Sequence, residues 1–215
     1  MSSISIELSS VTKSFNRRPI FTGICASLTL GSVFAVTGKN GAGKSTLLKI
    51  IAGLLAPTEG TVVVSKDGAV VASADIHDHL GFVAPYLNLY DEFTGRENLM
   101  ILRDIRTQTA SDTFVDSLLD RVSLFRRRND LVRTYSSGMK QRLKYAYALL
   151  HSPSVLVLDE PRANLDEEGV AVISELIVEQ RQRGVVILGT NEKSDLGLCN
   201  EFIDLDTMST RGIRT

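Results

Sequence analysis

The segment with the clearest chemical meaning is Gly38-Lys39-Asn40-Gly41-Ala42-Gly43-Lys44-Ser45, which matches the pattern G-x-x-x-x-G-K-[ST] at every fixed position. Glycines let the backbone curl so that successive N–H groups point at a phosphate. Lys44 can then reach the β- and γ-phosphates, and the hydroxyl of Ser45 is placed to ligate Mg²⁺. The sequence therefore predicts a nucleotide-phosphate loop.

The residues on either side of this loop support the same interpretation. Residues 33–37 are apolar and predict a short buried strand that leads into the loop, and residues 45–52 predict a helix whose positive N-terminal end faces the anion. This context disfavours a chance match in a glycine-rich turn. The residues assigned to nucleotide binding are Gly38, Asn40, Gly41, Ala42, Gly43, Lys44, Ser45 and Thr46.

A second segment supplies acidic groups. Residues 155–158 form an apolar run that ends in Asp159 and Glu160, as expected for a buried parallel strand whose carboxyl end meets a ligand crevice. Asp159 would hold Mg²⁺ through water, and Glu160 would polarise an attacking water. Alone, two acids could simply mark a strand end in solvent, but the phosphate loop upstream favours the functional interpretation.

Composition limits the alternatives. The chain has 215 residues, of which 43% are hydrophobic, enough for one large domain with a real core. Its net charge of −1 gives no sign of a nucleic-acid partner, since such binders carry basic patches. The N-terminal residues lack the pattern of a signal peptide, and no stretch reaches the roughly 18 apolar residues of a membrane span. We therefore expect any work at a membrane to be done from its surface.

The order of patterns along the chain predicts the fold class. Residues 4–8 alternate like a half-exposed strand, and two β-rich runs flank the turn at residues 66–68. Helical spacing dominates residues 94–151, and strands return at 185–188 and 201–205. We expect an α/β fold with a mostly parallel core sheet, an antiparallel β layer and an inserted helical subdomain. The expected single domain, 1–215, divides into a core of residues 1–93 and 152–215 and a helical subdomain of residues 94–151.

Residues 135–142, Tyr-Ser-Ser-Gly-Met-Lys-Gln-Arg, resemble the signature sequence of ATP-binding cassette (ABC) ATPases in a variant seen in many exporters. Taken alone, Ser-Ser-Gly before a helix is usually an N-cap. With the other two motifs it implies a whole-chain resemblance to the ATP-binding subunits of ABC transporters, most like small exporter subunits such as that of the haem exporter of cytochrome c maturation. In this family Ser136, Ser137 and Gly138 would bind the γ-phosphate held by the other subunit of a head-to-tail dimer.

The resemblance carries further expectations. It implies an ATPase that uses ATP and Mg²⁺, a homodimer or paired cassette that closes on ATP, a separately encoded integral-membrane permease, and a peripheral position on the cytoplasmic face of the membrane. Phe15 lies where an aromatic ring stacks on adenine, although ordinary core packing explains it equally well. Asp166 closes a loop, residues 163–166, that matches the family's dimer-crossing loop.

Two positions depart from the family pattern. Pro85 stands in place of a glutamine that contacts Mg²⁺ and the attacking water, and a proline side chain has no polar atom. Asn191 replaces the switch histidine; its amide can donate to a γ-phosphate oxygen but cannot carry a proton near neutral pH. With Glu160 and Asn191 as the catalytic groups, we expect slow hydrolysis. Two alternatives stay open: a nucleotide switch with little or no hydrolysis, and a cassette ATPase with a non-transport partner.

A small histidine cluster invites a metal interpretation. His77 and His79, if they lay on a short strand, would point the same way. The sequence offers no third ligand near them, and we therefore do not expect a metal site there.

Overall fold

The computed structural model describes residues 3–106 and 110–208, and within these ranges nine strands form two sheets. The strands are β1 (Ile4–Phe15), β2 (Arg18–Thr29), β3 (Val33–Thr37), β4 (Glu59–Lys66), β5 (Ala69–Val70), β6 (Leu80–Val83), β7 (Val155–Asp159), β8 (Val185–Gly189) and β9 (Glu201–Asp204). The α-helices are α1 (Lys44–Ile51), α2 (Ile76–His79), α3 (Gly95–Ile105), α4 (Asp112–Arg121), α5 (Ser137–Leu149), α6 (Glu167–Arg181) and α7 (Leu205–Met208). Short 3₁₀ helices span Phe125–Arg127, Val132–Thr134 and Lys193–Leu198.

The smaller sheet is antiparallel, with strand order β2-β1-β4-β5. Its two tight turns use residues with positive φ: Asn16 and Arg17 join β1 to β2, and Asp67 and Gly68 join β4 to β5. Positive φ at both central positions matches the right-handed twist of the flanking strands. The hairpin predicted around residues 66–68 is therefore confirmed.

The larger sheet has the order β6-β7-β8-β3-β9, and all its strand pairs are parallel. Parallel strands present their carboxyl ends at one edge, where ligands bind in open α/β sheets. The segments that leave this edge begin at Gly38, Ala84, Glu160 and Thr190, after β3, β6, β7 and β8 respectively. The predicted phosphate loop and both predicted acids are thus brought to the same edge.

The parallel sheet is buried on both faces, so its central strands β7 and β8 are apolar except for Asp159, the last residue of β7. Val155 and Val157 face a core shared with α1 and the antiparallel sheet, whereas Leu156 and Leu158 face a core shared with α5 and α6. This alternation follows from the two-residue period of a strand. The predicted class, α/β with a parallel sheet, an antiparallel layer and helices, is confirmed.

Helices α3, α4 and α5 occupy the range predicted for the helical subdomain. Thr94 caps α3 with a reciprocal capping box, accepting from the Glu97 N–H at 3.1 Å while Glu97 accepts from the Thr94 N–H at 2.8 Å. Leu99 and Leu102 of α3 are buried, whereas Ile105, the last residue of the helix, is 69% exposed. The division at residues 94–151 stays a prediction, and residues 1–2, 107–109 and 209–215 of the expected domain lie outside the described residues. No helix of the described chain is long and apolar enough to cross a membrane.

The histidine cluster does not have the strand geometry that was considered from sequence. His77 and His79 lie on the short helix α2 rather than on a strand, and successive residues of a helix do not alternate between two faces. His77 contacts Asp78 at 3.3 Å, and His79 Nδ1 lies 3.5 Å from the Lys66 ammonium. Within the described residues no group of three or more His, Cys, Asp or Glu side chains is arranged to hold a metal ion.

His151, just after α5, makes stability depend on pH. Its Nε2 donates to the Leu80 carbonyl at 3.1 Å, its buried Nδ1 has no partner within the described chain, and burial lowers its pKa to about 4. Because the ordinary pKa is 6.5, the unfolded chain binds a proton more readily than the folded chain between these values.

We expect the free energy of unfolding to fall by about 2 kcal/mol through this group as the pH drops from 7 to 5. Urea unfolding of the wild type and His151→Gln at both pH values measures the effect, because the glutamine cannot titrate. His77→Gln, at an exposed imidazole, is the matched control. Equal pH dependence in the wild type and His151→Gln would contradict the assignment.

Candidate functional site

The phosphate loop joins the end of β3 to the first residue of α1. Gly38, Gly41 and Gly43 have φ values of 139°, 86° and 104°, a region that side chains other than glycine rarely adopt. At Gly43 a Cβ atom would also lie only 2.4 Å from the Ile20 Cγ2. The loop can therefore curl around an anion only with glycine at these positions, directly before the N-terminal end of α1.

Lys44 is almost fully buried, with 6% of its surface exposed. Its Nζ donates to the carbonyl of Gly38 at 2.9 Å and to that of Lys39 at 3.3 Å, and it lies 3.7 Å from the Glu160 Oε1. The loop itself thus folds around the ammonium group. The same cation stands beside the carboxylate predicted to act as the base.

Asp159 ends β7 opposite Gly189 of β8 and is 2% exposed. Burial raises its pKa, whereas a hydrogen bond from the Ser45 hydroxyl and the charge of Lys44 act in the opposite direction. Its Oδ1 is buried and has no hydrogen-bond partner in residues 3–106 and 110–208. An unpartnered carboxylate oxygen beside a serine hydroxyl fits Mg²⁺, which binds proteins through one or two carboxylates and completes its shell with water and phosphate.

Glu160 follows in a strained conformation, with φ of 53°. Its N–H donates to the Gly189 carbonyl at 2.8 Å, which fixes the turn against β8. Burial raises the pKa of this carboxyl, and Lys44 opposes the rise. A carboxylate with a raised pKa accepts a proton more readily, and backbone strain of this kind is concentrated at functional sites.

Asn191, two residues after β8, reaches the phosphate loop directly. Its Nδ2 donates to the Asn40 Oδ1 at 3.4 Å. The preceding Thr190 N–H donates to the Val36 carbonyl at 3.0 Å, so the chain is held at the edge from which the phosphate loop departs. Asn191, which the resemblance places at the position of a switch histidine, therefore contacts the predicted phosphate loop.

Pro85 leaves the end of β6 without a polar side chain, but its backbone is tied down. Lys144 of α5 donates to the carbonyls of Pro85 and Ala84 at 3.0 and 3.4 Å. This link between α5 and the sheet was not predicted, because a lysine 59 residues away carries no local signal. Tyr86 packs under the Lys49 ammonium at 4.5 Å, and burial together with the charge of Asp159 raises its pKa.

Other predicted residues, Phe15, Asp166 and those of the signature segment, have local partners in the described chain rather than partners in the phosphate loop. Ser136 caps α5 by accepting from the Met139 N–H at 3.2 Å, and Gly138 packs so closely on the loop after β7 that a Cβ would lie 3.0 Å from the Asn164 carbonyl. Asp166 caps α6, accepting from the Gly169 N–H at 2.9 Å. No hydrogen bond or ion pair within the described ranges joins residues 136–138 to the phosphate loop. Phe15 ends β1 with 47% of its surface exposed, under the Lys13 ammonium, which is not the environment of a core residue.

Comparison with known proteins agrees with this arrangement. Residues 21–163 match the sequence profile of the family described as ABC transporter. The chain therefore belongs to the ABC transporter family, as an ATP-binding domain. This family generally binds ATP with Mg²⁺ and hydrolyses it.

Two relatives and one solved structure show how far the similarity extends along the chain. The chain is 30% identical to the uncharacterized ABC transporter ATP-binding protein YybJ of Bacillus subtilis (strain 168), over 94% of this chain and 92% of that protein. It is 36% identical to the Nod factor export ATP-binding protein I of Rhizobium meliloti, over 87% of this chain but 57% of that protein. A solved ATP-binding subunit of an ABC transporter superposes with a TM-score of 0.79 and 26% identity, covering 93% and 85% of the two chains.

Proposed function

We propose that this chain is the ATP-hydrolysing subunit of an ABC exporter whose membrane permease is a separate chain. The observation that carries the proposal is the meeting of Lys44, Asp159 and Glu160 at one edge of the parallel sheet, with the Lys44 ammonium 3.7 Å from the Glu160 carboxylate. A cation for phosphate, a carboxylate for metal and a carboxylate for water are the groups that phosphoryl transfer requires. The export relative supports the transport direction by analogy.

In this proposal the backbone N–H groups of residues 40–45 cradle the β- and γ-phosphates, and Lys44 turns from its loop carbonyls toward the phosphate oxygens. Ser45 and Asp159 would hold Mg²⁺, which supplies neutralisation of the phosphate charge. Glu160 would accept a proton from the water that attacks the γ-phosphorus, while the bond from that phosphorus to the β–γ bridging oxygen breaks and ADP leaves. Asn191, already at the loop, donates its amide N–H to a γ-phosphate oxygen.

A second copy of the chain completes the site. Ser136, Ser137 and Gly138 lie at the start of α5, where the first N–H groups of a helix have no partner within the helix. We propose that they bind the γ-phosphate held by the partner copy in a two-fold symmetric dimer that closes on ATP. The loop at residues 163–166 would cross the interface, and Phe15 would stack on adenine. The assembly would work at the cytoplasmic face of the membrane as a peripheral subunit of the permease.

Hydrolysis should be slow, and Asn191→His should raise it. A positioned polar group typically raises the reaction rate on the order of 10²–10³-fold. When two such groups act as a unit, the rate losses on removing each of them do not multiply. Because Asn191 still donates a hydrogen bond to the loop, we expect the kcat of the wild-type chain to be reduced only in part. We expect Asn191→His, which introduces an imidazole at this position, to raise kcat roughly 10-fold. Steady-state phosphate release measures it, with Asn129→His, at an exposed residue between the 3₁₀ helices, as the matched control. Unchanged turnover in Asn191→His would mean that another group already orients the water.

The alternative function is a nucleotide switch that closes on ATP with little hydrolysis. Pro85 and Asn191 favour it, because both replace groups that orient water or phosphate. Glu160 opposes it, since a switch without turnover has no need for a base held beside Lys44. A partner other than a permease is a weaker possibility, and a permease gene next to this one would argue against it.

A further inference from the structure

A buried ion pair connects the two loops that carry Glu160 and Asn191. Asp195 is 1% exposed, and its two carboxylate oxygens have separate donors: Arg162 Nε at 2.5 Å and Thr190 Oγ1 at 2.6 Å. The Thr190 hydroxyl oxygen in turn accepts from the Glu192 N–H at 3.0 Å. The carboxylate is therefore satisfied only while both loops keep their present positions.

The two partners of Asp195 lie next to Glu160 and Asn191 in the sequence. Arg162 lies two residues after Glu160, and Thr190 directly precedes Asn191. The Arg162–Asp195–Thr190 bridge thus fixes the turn of the proposed base relative to the loop whose amide contacts Asn40. The backbone bond from the Glu160 N–H to the Gly189 carbonyl joins the same two segments, so the bridge completes a closed ring of contacts.

Helix α5 contacts the same group of residues through Tyr145. Tyr145 is fully buried, and its hydroxyl donates to the Pro161 carbonyl at 2.7 Å, between Glu160 and Arg162. Burial, together with the charge of Asp195, raises the pKa of Tyr145 well above its usual value, so the hydroxyl keeps its proton and donates. The helix that begins at Ser136 is therefore connected through one side chain to the turn of the proposed base.

Stability alone does not account for such a pair. Desolvation of two charges cancels much of their attraction, and well-packed apolar residues of similar size often stabilise a protein as well or better. What an arginine and a carboxylate supply in addition is fixed geometry, because the planar guanidinium and the two carboxylate oxygens accept few relative orientations. The bridge is thus suited to fix the relative orientation of the loop that carries Glu160 and the loop that carries Asn191.

We propose that Arg162 is a positioning residue for hydrolysis, which acts through Asp195 and Thr190 to hold Asn191 in register with Glu160. This proposal rests on the proposed ATPase function. Arg162 itself makes no hydrogen bond or ion pair with the phosphate loop within the described residues; its ion-pair partner is Asp195. Its effect should therefore appear in the rate of the chemical step and depend on the presence of Asn191.

The first test is a double-mutant cycle of Arg162→Gln and Asn191→Ala, read as kcat and KM for ATP. We expect Arg162→Gln to lower kcat roughly 10-fold with KM within about 2-fold, since a small misplacement of a positioned group is costly to rate. In the Asn191→Ala background the same change should have less than about a 2-fold effect. Effects that multiply, or a change in KM alone, would overturn the proposal.

Two further variants separate positioning from folding. Arg162→Lys keeps the positive charge, and it should retain more of the wild-type kcat than Arg162→Gln does. It is the variant to measure where Arg162→Gln folds poorly. Arg96→Gln removes a comparable arginine bridge, between α3 and α4, and should leave kcat unchanged. A loss in Arg96→Gln equal to that in Arg162→Gln would overturn the proposal, because any lost bridge would then slow turnover.

The second test needs neither ATP nor turnover. Amide hydrogen exchange at Glu192, whose N–H is held by Thr190, should accelerate by about 10-fold or more in Arg162→Gln, while α3 keeps its protection. Unchanged exchange at Glu192 would refute the coupling between the loops. A wild type that binds ATP without hydrolysing it would instead refute the proposed ATPase function, and the exchange result would still report on the bridge.

Discussion

Glu160→Gln should lower the hydrolysis rate by on the order of 10³-fold while leaving ATP affinity nearly unchanged, because a general base typically contributes 10²–10⁴-fold to rate. The amide keeps the shape of the side chain and can still lie beside Lys44, but it cannot accept the proton. Under the proposed dimer, ATP would then persist between the subunits. We therefore expect Mg·ATP to shift this variant from monomer to dimer in sedimentation, with the shift lost after removal of the nucleotide.

Glu168→Gln is the matched control, since it makes the same change at an exposed residue in the first turn of α6. It should retain wild-type turnover. If Glu160→Gln hydrolysed ATP at the wild-type rate, the base would have to be another group. A variant that stays monomeric in saturating Mg·ATP would count against closure of the dimer on nucleotide.

Lys44→Ala should lower ATP affinity by about 100-fold, because a buried charge-assisted hydrogen bond to phosphate is lost together with the cation that organises the loop. Two loop carbonyls, those of Gly38 and Lys39, would lose their shared donor at the same time. Equilibrium titration with a fluorescent ATP analogue measures the affinity. Thermal unfolding of the same sample establishes that the variant is folded.

Lys39→Ala supplies the control within the same loop, because Lys39 is exposed and contributes its carbonyl rather than its ammonium to the loop. Its affinity should stay within a few-fold of the wild type. Equal affinities for Lys44→Ala and the wild type would mean that nucleotide binds elsewhere. Equal losses in both lysine variants would point to general attraction by positive charge rather than to a defined contact.

The parts of the site that sequence predicts are those whose chemistry is local. Residues 38–45 and the acids 159–160 are contiguous motifs, and a parallel sheet brings the two segments to one edge because each follows the carboxyl end of a strand. The strand at residues 4–8 and the turn at residues 66–68 were likewise set by alternation and turn chemistry. In such segments the local preference and the tertiary fold agree.

Contacts between distant residues gave no such signal. Arg162 and Asp195 are separated in sequence by the whole of α6 and by β8, and Lys144 reaches Pro85 from α5. His77 and His79 were considered from sequence as residues of a short strand, but they lie on the short helix α2 that precedes β6. In each case tertiary packing, rather than the spacing of residue types, decides the partner or the conformation.

The central claim, that this chain hydrolyses ATP at the site formed by Lys44, Asp159 and Glu160, is tested most directly by a single turnover. Excess purified protein is mixed with Mg²⁺ and radiolabelled ATP, and ADP and phosphate are measured over time. We predict that one equivalent of bound ATP is converted fully to ADP in the wild type, and that conversion in Glu160→Gln is slower by about 10³-fold. Stoichiometric binding with ATP left intact in the wild type would contradict the account and identify the chain as a nucleotide switch.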